Sequence, residues 1–438
     1  LLGLAALPVG WVGLRWAAYG RAAARLPAEM AAARREGLPL TPDELRAALP
    51  KVAPADNAAP LYWSLLPQSG GDAKEREDPV IADYMKGYRR GDRPKPTPAL
   101  RAAIAKLGSR LAVAEEASRK PGCDWGRDWE KGFDLQYPEM ALCRSLVRQF
   151  CARALLRADD GDLPGAYADI ETATRIGRHA GSDPVLIGLL VNVACRTIAD
   201  AYFDAVLLAH PDDPRAVPLA RRADAAFDPA PDFAAGTLGE LTLGRLGVAQ
   251  VGRGGAVPGG GGKGAGEAPS WLRGPLTGSW DAAGIAYWRA VRRAAVENAD
   301  DPQALARAVA AVSVQEEARL KQPGHELMAI LLPAFGKSAG KMVDVQARDR
   351  LRRTAIALVE ARQRAGRKAW PASLPPAPWS TPDERTDPFT GKPFVYKVTE
   401  GGRKFVLYSL GENGRDDGGT FGKGTGEAMT DDLAVRTP

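Results

Sequence analysis

A mainly α-helical chain with a small α+β end is predicted by three features of the sequence. Apolar residues recur at three- and four-residue spacing over long stretches between residues 97 and 364. Several of these stretches open on a Thr or Asp followed by Pro, a helix-start signal. After residue 390 the pattern changes to short runs rich in Val, Phe and Tyr, bounded by Gly and Pro, which reads as strands.

The 438 residues are enough for two or three domains, and 45% apolar content suits a folded core. The formal charge is +6, but the basic residues are mostly Arg spread along helices. No Lys/Arg run or basic aromatic strand marks a nucleic-acid footprint, so nucleic acid is not expected as a partner. The organisation read from the sequence is an anchor and juxtamembrane helix over 1–36 and an α-helical bundle over 37–250. A Gly-rich linker or loop over 251–279, further helices over 280–336 and a compact helix-plus-strand tail over 337–438 follow.

Residues Leu1 to Leu14 carry no charge, and Arg15 follows. A bilayer crossing needs about 20 residues, so this run is expected to be the remaining part of a transmembrane anchor. Trp11, Trp16 and Tyr19 suit the headgroup belt, with Arg15 snorkelling. Arg15, Arg21, Arg25, Arg34 and Arg35 would by themselves favour the cytoplasmic side.

Residues 16–36 read as an Ala/Arg-rich helix. Thr41-Pro42-Asp43-Glu44 is a capping box with Pro at the first helical position. Residues 50–96 read as irregular, with one short helix from Ala59 to Leu66, and Thr97-Pro98 opens the next. In the centre, Met140, Cys143, Val147, Phe150, Cys151 and Ala154 make one apolar stripe. Asp160-Gly161-Asp162 separates it from a second, built on Leu163, Tyr167, Ile170 and Ala173. Asp183-Pro184 is expected to cap a third helix, apolar nearly all round from Val185 to Val206, as a central bundle helix would be. Asn192, Arg196, Asp200 and Asp204 argue against that helix crossing a membrane. Helices are expected to resume at Trp280–Asn298 and Asp301–Leu320, with a long one from Ser338 to Arg364.

Catalytic signatures are weak. Cys123, Cys143, Cys151 and Cys195 form no C-x-x-C pair and read as small core residues, with Cys123–Cys195 pairing left open. Cys143 and Cys151 lie about 12 Å apart along a helix, too far for a disulfide. His179, His210 and His325 are scattered, with no acid or nucleophile signature beside them. His179 sits near a helix C-terminus, where the dipole favours a cation. Gly336-Lys337-Ser338 lacks the leading Gly of a phosphate loop, because position 331 is Leu. Ser409 lacks the Gly of a nucleophile elbow, and H-E-x-x-H is absent. Two candidate sites stand out. Trp125 and Trp129, beside Asp124 and Asp128, are spaced to line a ligand groove or to fold onto the bundle. Asn413, Asp416, Asp417, Asp431 and Asp432 offer hard oxygens on a Gly-rich loop, a composition suited to calcium.

Asp387-Pro388-Phe389-Thr390-Gly391-Lys392-Pro393-Phe394-Val395-Tyr396, followed by Tyr408-Ser409-Leu410-Gly411-Glu412-Asn413-Gly414, resembles the C-terminal end of the major pseudopilins of type II secretion systems. That resemblance implies an exported tail of two or three antiparallel strands braced by the preceding helix, its acidic loop holding calcium. Asn413 stands where the family has Asp, and the stretch from Gly419 to Asp431 is longer than the family's. Leu40-Thr41-Pro42-Asp43-Glu44-Leu45, Asp56-Asn57-Ala58-Ala59-Pro60-Leu61-Tyr62, the Gly-Asp hairpin and Gly366-x-x-x-Trp370-Pro371-x-Ser373-Leu374 together are similar to a large group of membrane-anchored planctomycete proteins. The expectation is a single-pass inner-membrane protein with most of its chain on the exported side. Its expected role is non-enzymatic, scaffolding or binding other envelope proteins, with a link to secretion or pilus-like machinery. The alternative is an envelope hydrolase or carbohydrate-binding protein using Trp125 and Trp129.

Overall fold

The computed structural model describes residues 2–66, 78–90, 93–253, 270–320, 322, 324–325, 328–366, 369–420 and 432–437. The helices run in the order α1 (Leu2–Ala23), α2 (Leu26–Arg35), α3 (Pro42–Ala48), α4 (Ala59–Trp63), α5 (Pro79–Arg90), α6 (Pro98–Lys106), α7 (Gly108–Ser118) and α8 (Pro138–Asp159). They continue with α9 (Leu163–Ala180), α10 (Leu186–Ala209), α11 (Ala216–Asp224), α12 (Phe233–Gly236), α13 (Glu240–Gly252), α14 (Ser270–Glu297), α15 (Pro302–Glu317) and α16 (Met328–Arg364). Strands β1 (Val395–Thr399), β2 (Lys404–Ser409) and β3 (Leu433–Arg436) end the chain. The protein is thus mainly helical, with one small antiparallel sheet in the order β1-β2-β3.

Capping chemistry sets several helix starts. Thr41 and Thr97 each accept the backbone N–H three residues on, and Asp162 does the same for Gly165. The capping box closes differently from the expected pattern: Glu44 reaches back to the N–H of Leu40 rather than of Thr41. Asp183 does not cap α10. Its carboxylate pairs with Arg127 at 2.6 Å, and the N–H of Leu186 donates instead to Glu240 at 2.6 Å. A guanidinium close by outcompetes a neutral N–H for a carboxylate.

The core centres on α8, α9 and α10. Phe150, Cys151, Ile170, Ala173 and Phe203 are fully buried there. α10 is the one helix among the described residues long and apolar enough to cross a bilayer, but it is mid-chain and mostly buried in the protein. Arg196 and Asp200 on it are buried in ion pairs with Asp349 and Arg352. Helix α14 starts at Ser270, ten residues before the expected Trp280 and inside the stretch read as a linker. Packing overrides the Pro275 and Gly signals there: Gly252 of α13 lies against Thr277, and Gly278 lies against Ala23 of α1.

In the tail, Leu407 pairs with Val435 and Ser409 with Leu433, so alternate side chains of β2 and β3 share a face. Phe405, Leu407, Leu433 and Val435 on that face are all nearly fully buried, in one cluster with Leu351, Ala355, Ile356 and Val359 of α16. Trp370 closes the edge, its indole N–H donating to the carbonyl of Arg403 at 3.0 Å and its ring edge-on to Phe405. The same cluster continues without a break into α8, α9 and α10. Sheet, α16 and bundle therefore share one core.

Candidate functional site

Asp387 organises the tail. It is 1% exposed. Its Oδ1 accepts the Ser409 hydroxyl at 2.8 Å and the Phe389 N–H at 3.0 Å, and its Oδ2 accepts the Leu410 N–H at 3.0 Å. The D-P-F turn is thereby tied to the end of β2. Beyond it the acidic loop divides in two. Asp416 receives the Tyr408 hydroxyl at 2.6 Å and the Gly418 N–H at 3.0 Å, with the Lys397 ammonium at 3.2 Å. The Tyr408 hydroxyl and that ammonium hold its carboxyl below the usual range. Asp432 is fully buried, and its Oδ2 accepts the Gly419 N–H at 2.8 Å. Its Oδ1 is buried and has no hydrogen-bond partner among the described residues. Burial, together with the charges of Asp417 and Asp416, pushes the Asp432 carboxyl up. Asn413 lies beside Asp417, its amide donating at 3.0 Å. Asp431 lies outside the described residues. Among the described residues, no group of three or more His, Cys, Asp or Glu side chains is arranged to hold a metal.

Trp125 and Trp129 do not form a shared groove. Each is 3% exposed. Trp125 packs on Tyr62 and edge-on to Trp63, and its N–H donates to the carbonyl of His179 at 3.1 Å. Trp129 belongs to a separate cluster with Leu45, Val185 and Leu243. Covering apolar ring faces outweighs the i, i+4 spacing, and residues 123–128 are not helical, with Gly126 between the two Trp at φ 66°. His179 is also turned inward. Its two ring nitrogens engage the Tyr62 hydroxyl and the Lys120 carbonyl, each at 3.1 Å. Burial pushes its pKa down to about 4, so desolvation outweighs the helix-dipole effect and the ring is neutral at pH 7. All four cysteines are free and buried.

A separate concavity lies elsewhere. A cleft of about 1070 Å³ opens where the end of α7, the C-terminal turns of α9, the 229–238 segment and α14 meet. Cations come from three of its sides: Arg119 and Lys120 after α7, Arg175 and Arg178 on α9, and Arg292 on α14. Its lining acids are Asp183 and Asp232. Arg119 and Lys120 are neighbours in the sequence, as are Arg175 and Arg178 on one helix turn, but the walls that carry these pairs and Arg292 come from distant segments, so no local motif announces the cleft.

No protein-family model, curated protein or solved structure matches this chain.

Proposed function

We propose that this protein is a non-enzymatic envelope component, held to the bacterial inner membrane by α1, with most of its chain on the exported side. In this reading it makes contacts with other envelope proteins, beside type II secretion or pilus-like machinery. The observation that carries the reading is the packing of α16 on β2 and β3, with Asp387 pinning the turn to the sheet. This is the arrangement expected of a pseudopilin head. Two features of α1 also support it. Its Leu2–Leu14 part carries no charge. Leu14 and Trp16, at 70% and 44% exposed, face away from the protein.

The acidic loop is assigned to calcium, with Asp417, Asp432 and Asn413 as the central oxygens. The fit is the Asp432 Oδ1, which has no hydrogen-bond partner among the described residues, because a cation there would satisfy a buried oxygen and screen the carboxylates of Asp416, Asp417 and Asp432. Asp416 fits less well, being already engaged by Lys397 and Tyr408.

Expression in a bacterial host followed by fractionation tests the anchor. The full chain should sediment with inner membranes, resist high salt and be released by detergent. Recovery in the soluble fraction would overturn the reading. Calcium should raise the Tm of the detergent-purified chain relative to EDTA, and Asp432→Asn should abolish that difference.

A further inference from the structure

We infer that the basic cleft between α7, α9 and α14 is a docking site for an acidic peptide segment of another protein. The inference does not rest on the anchor or the tail, since it concerns a different surface.

The cations of the cleft are satisfied geometrically but not electrically. Lys120 Nζ donates to the Ala55 carbonyl at 2.9 Å, and Arg292 donates to the Ala234 carbonyl at 2.6 Å. Arg178 donates to the carbonyls of Ala226 and Asp228, at 3.0 and 3.4 Å. A carbonyl satisfies an N–H without cancelling a unit charge. Among the described residues, Arg119 and Arg175 are the cations of the cleft with carboxylates in ion-pair range, Glu115 for Arg119 and Glu171 at 3.5 Å for Arg175. The acids of the lining are spent elsewhere. Asp183 is paired with Arg127, and Asp232 accepts the N–H groups of Ala234 and Ala235. The cleft thus carries net positive charge between low-dielectric walls, which focus its field. Burial and the neighbouring cations Arg175 and Arg196 lower the pKa of Arg178, and Asp228 opposes them only in part.

The lining selects the class of anion. Leu49, Leu189, Leu238 and Val296 supply apolar contact. Among the lining residues there is no Phe, Tyr or Trp, and both nitrogens of the His179 ring are already bonded within the chain. Bases and sugars are recognised by stacking on aromatic faces, which this cleft does not offer. Its volume is at the upper end of small-ligand pockets of about 300–1000 Å³. Charges on three sides of a cleft of that size, interleaved with aliphatic side chains, match an extended chain in which Asp or Glu alternates with aliphatic residues.

Fluorescence polarisation with the purified full chain tests this. The probe is a fluorescein-labelled peptide of repeating Glu-Leu-Asp-Leu, and the control is its Gln-Leu-Asn-Leu counterpart. Saturable binding of the acidic peptide with a Kd of about 1–50 μM, weakened by added salt, is expected, with none for the control. The double variant Arg119→Glu/Lys120→Glu, at the more open side of the cleft, should raise Kd about tenfold or more at unchanged Tm. Arg292→Gln, on the opposite wall, should weaken binding severalfold and serves as the second readout if the double variant does not fold. Equal binding of both peptides, or unchanged affinity in a folded variant, overturns the inference. So does displacement of the probe by a thymidine oligonucleotide or a heparin fragment at lower concentration than by unlabelled acidic peptide, which would reassign the cleft to those polymers.

Discussion

At the scale of single residues, charge buried inside the bundle dominates. Arg352 is 1% exposed and pairs with Asp200, with Asp224 at 2.7 Å and with Asp349 at 2.9 Å. Its guanidinium also lies 3.8 Å from the centre of the Phe227 ring. Coulombic attraction from the carboxylates outweighs desolvation and keeps its pKa above the ordinary arginine value. Removing the cation leaves carboxylates without their partner in a dry site. Arg352→Met is therefore expected to cost about 3–5 kcal/mol in urea unfolding. Arg352→Lys should recover little, because an ammonium cannot reproduce the planar fork that meets several acids. Asp183 gives a pH-resolved counterpart. Burial pushes its pKa from 3.8 up to about 6, against the pull of Arg127. Its folded pKa is the higher one, so between pH 4 and 6 the native state holds a proton that the unfolded chain releases. The stability this supplies is complete below about pH 4 and is lost as pH rises through 6, amounting to at most about 3 kcal/mol. Over that window the stability of the parent chain should fall relative to Asp183→Asn, and the two curves should run parallel above it. Thermal denaturation across pH 4–8 measures this.

At the scale of elements, the tail is held by a few polar ties over an apolar contact. Asp387→Ala would strand the Ser409 hydroxyl and the N–H groups of Phe389 and Leu410, all bonded to one carboxylate. A loss of about 2–4 kcal/mol is expected, with faster amide exchange at Leu410 before any change in the bundle. Asp387→Asn keeps acceptor capacity on one oxygen and should cost less. Much of this element structure was legible beforehand. The stripes of α8 and α9, the Thr41 and Thr97 caps and strands β1 and β2 follow from spacing and local chemistry alone. Helix α14 and strand β3 were less so. The first is extended by neighbours that cover its Gly-rich start, and the second is a four-residue segment whose identity depends on pairing with β2. Trp125 and Trp129 show the limit of spacing as a guide. Residues four apart share a face on a helix, and Gly126 at positive φ, in a non-helical stretch, shows that this segment is not one. The basic cleft was invisible for a related reason, since its walls meet only through tertiary packing.

At the scale of the whole molecule, the continuity between tail and bundle is the main architectural result. A pilin head standing on its own would have a sheet and one helix with a separate core. Here α16 lies inside one core that tail and bundle share. Leu351, Ala355 and Val359 belong to the cluster that takes in the sheet, while Arg352 and Arg353 reach Asp200, Asp224 and Asp228 of the bundle. On its flank, Arg350 and Thr354 hold the 383–386 turn through Asp383 and the carbonyls of Thr386 and Glu384. Arg362 pairs with Asp212 and lies over the Trp370 ring, so one side chain touches both halves. Neither half can leave α16 without uncovering apolar surface on the other. Unfolding in urea should therefore be a single transition, with far-UV circular dichroism and hydrogen exchange of the β2 amides reporting the same midpoint. Earlier loss of β2 protection, at a urea concentration where helical signal is intact, would mean that the sheet is a separable module. Truncation after Gly366 gives the matching test. It removes Trp370, Phe405, Leu407, Leu433 and Val435 from the core cluster and exposes the apolar side of α16. A shortened chain that stays monomeric, with its helical melting temperature unchanged, would show that the bundle does not need the tail. Aggregation or a strongly lowered Tm is the outcome expected from a shared core.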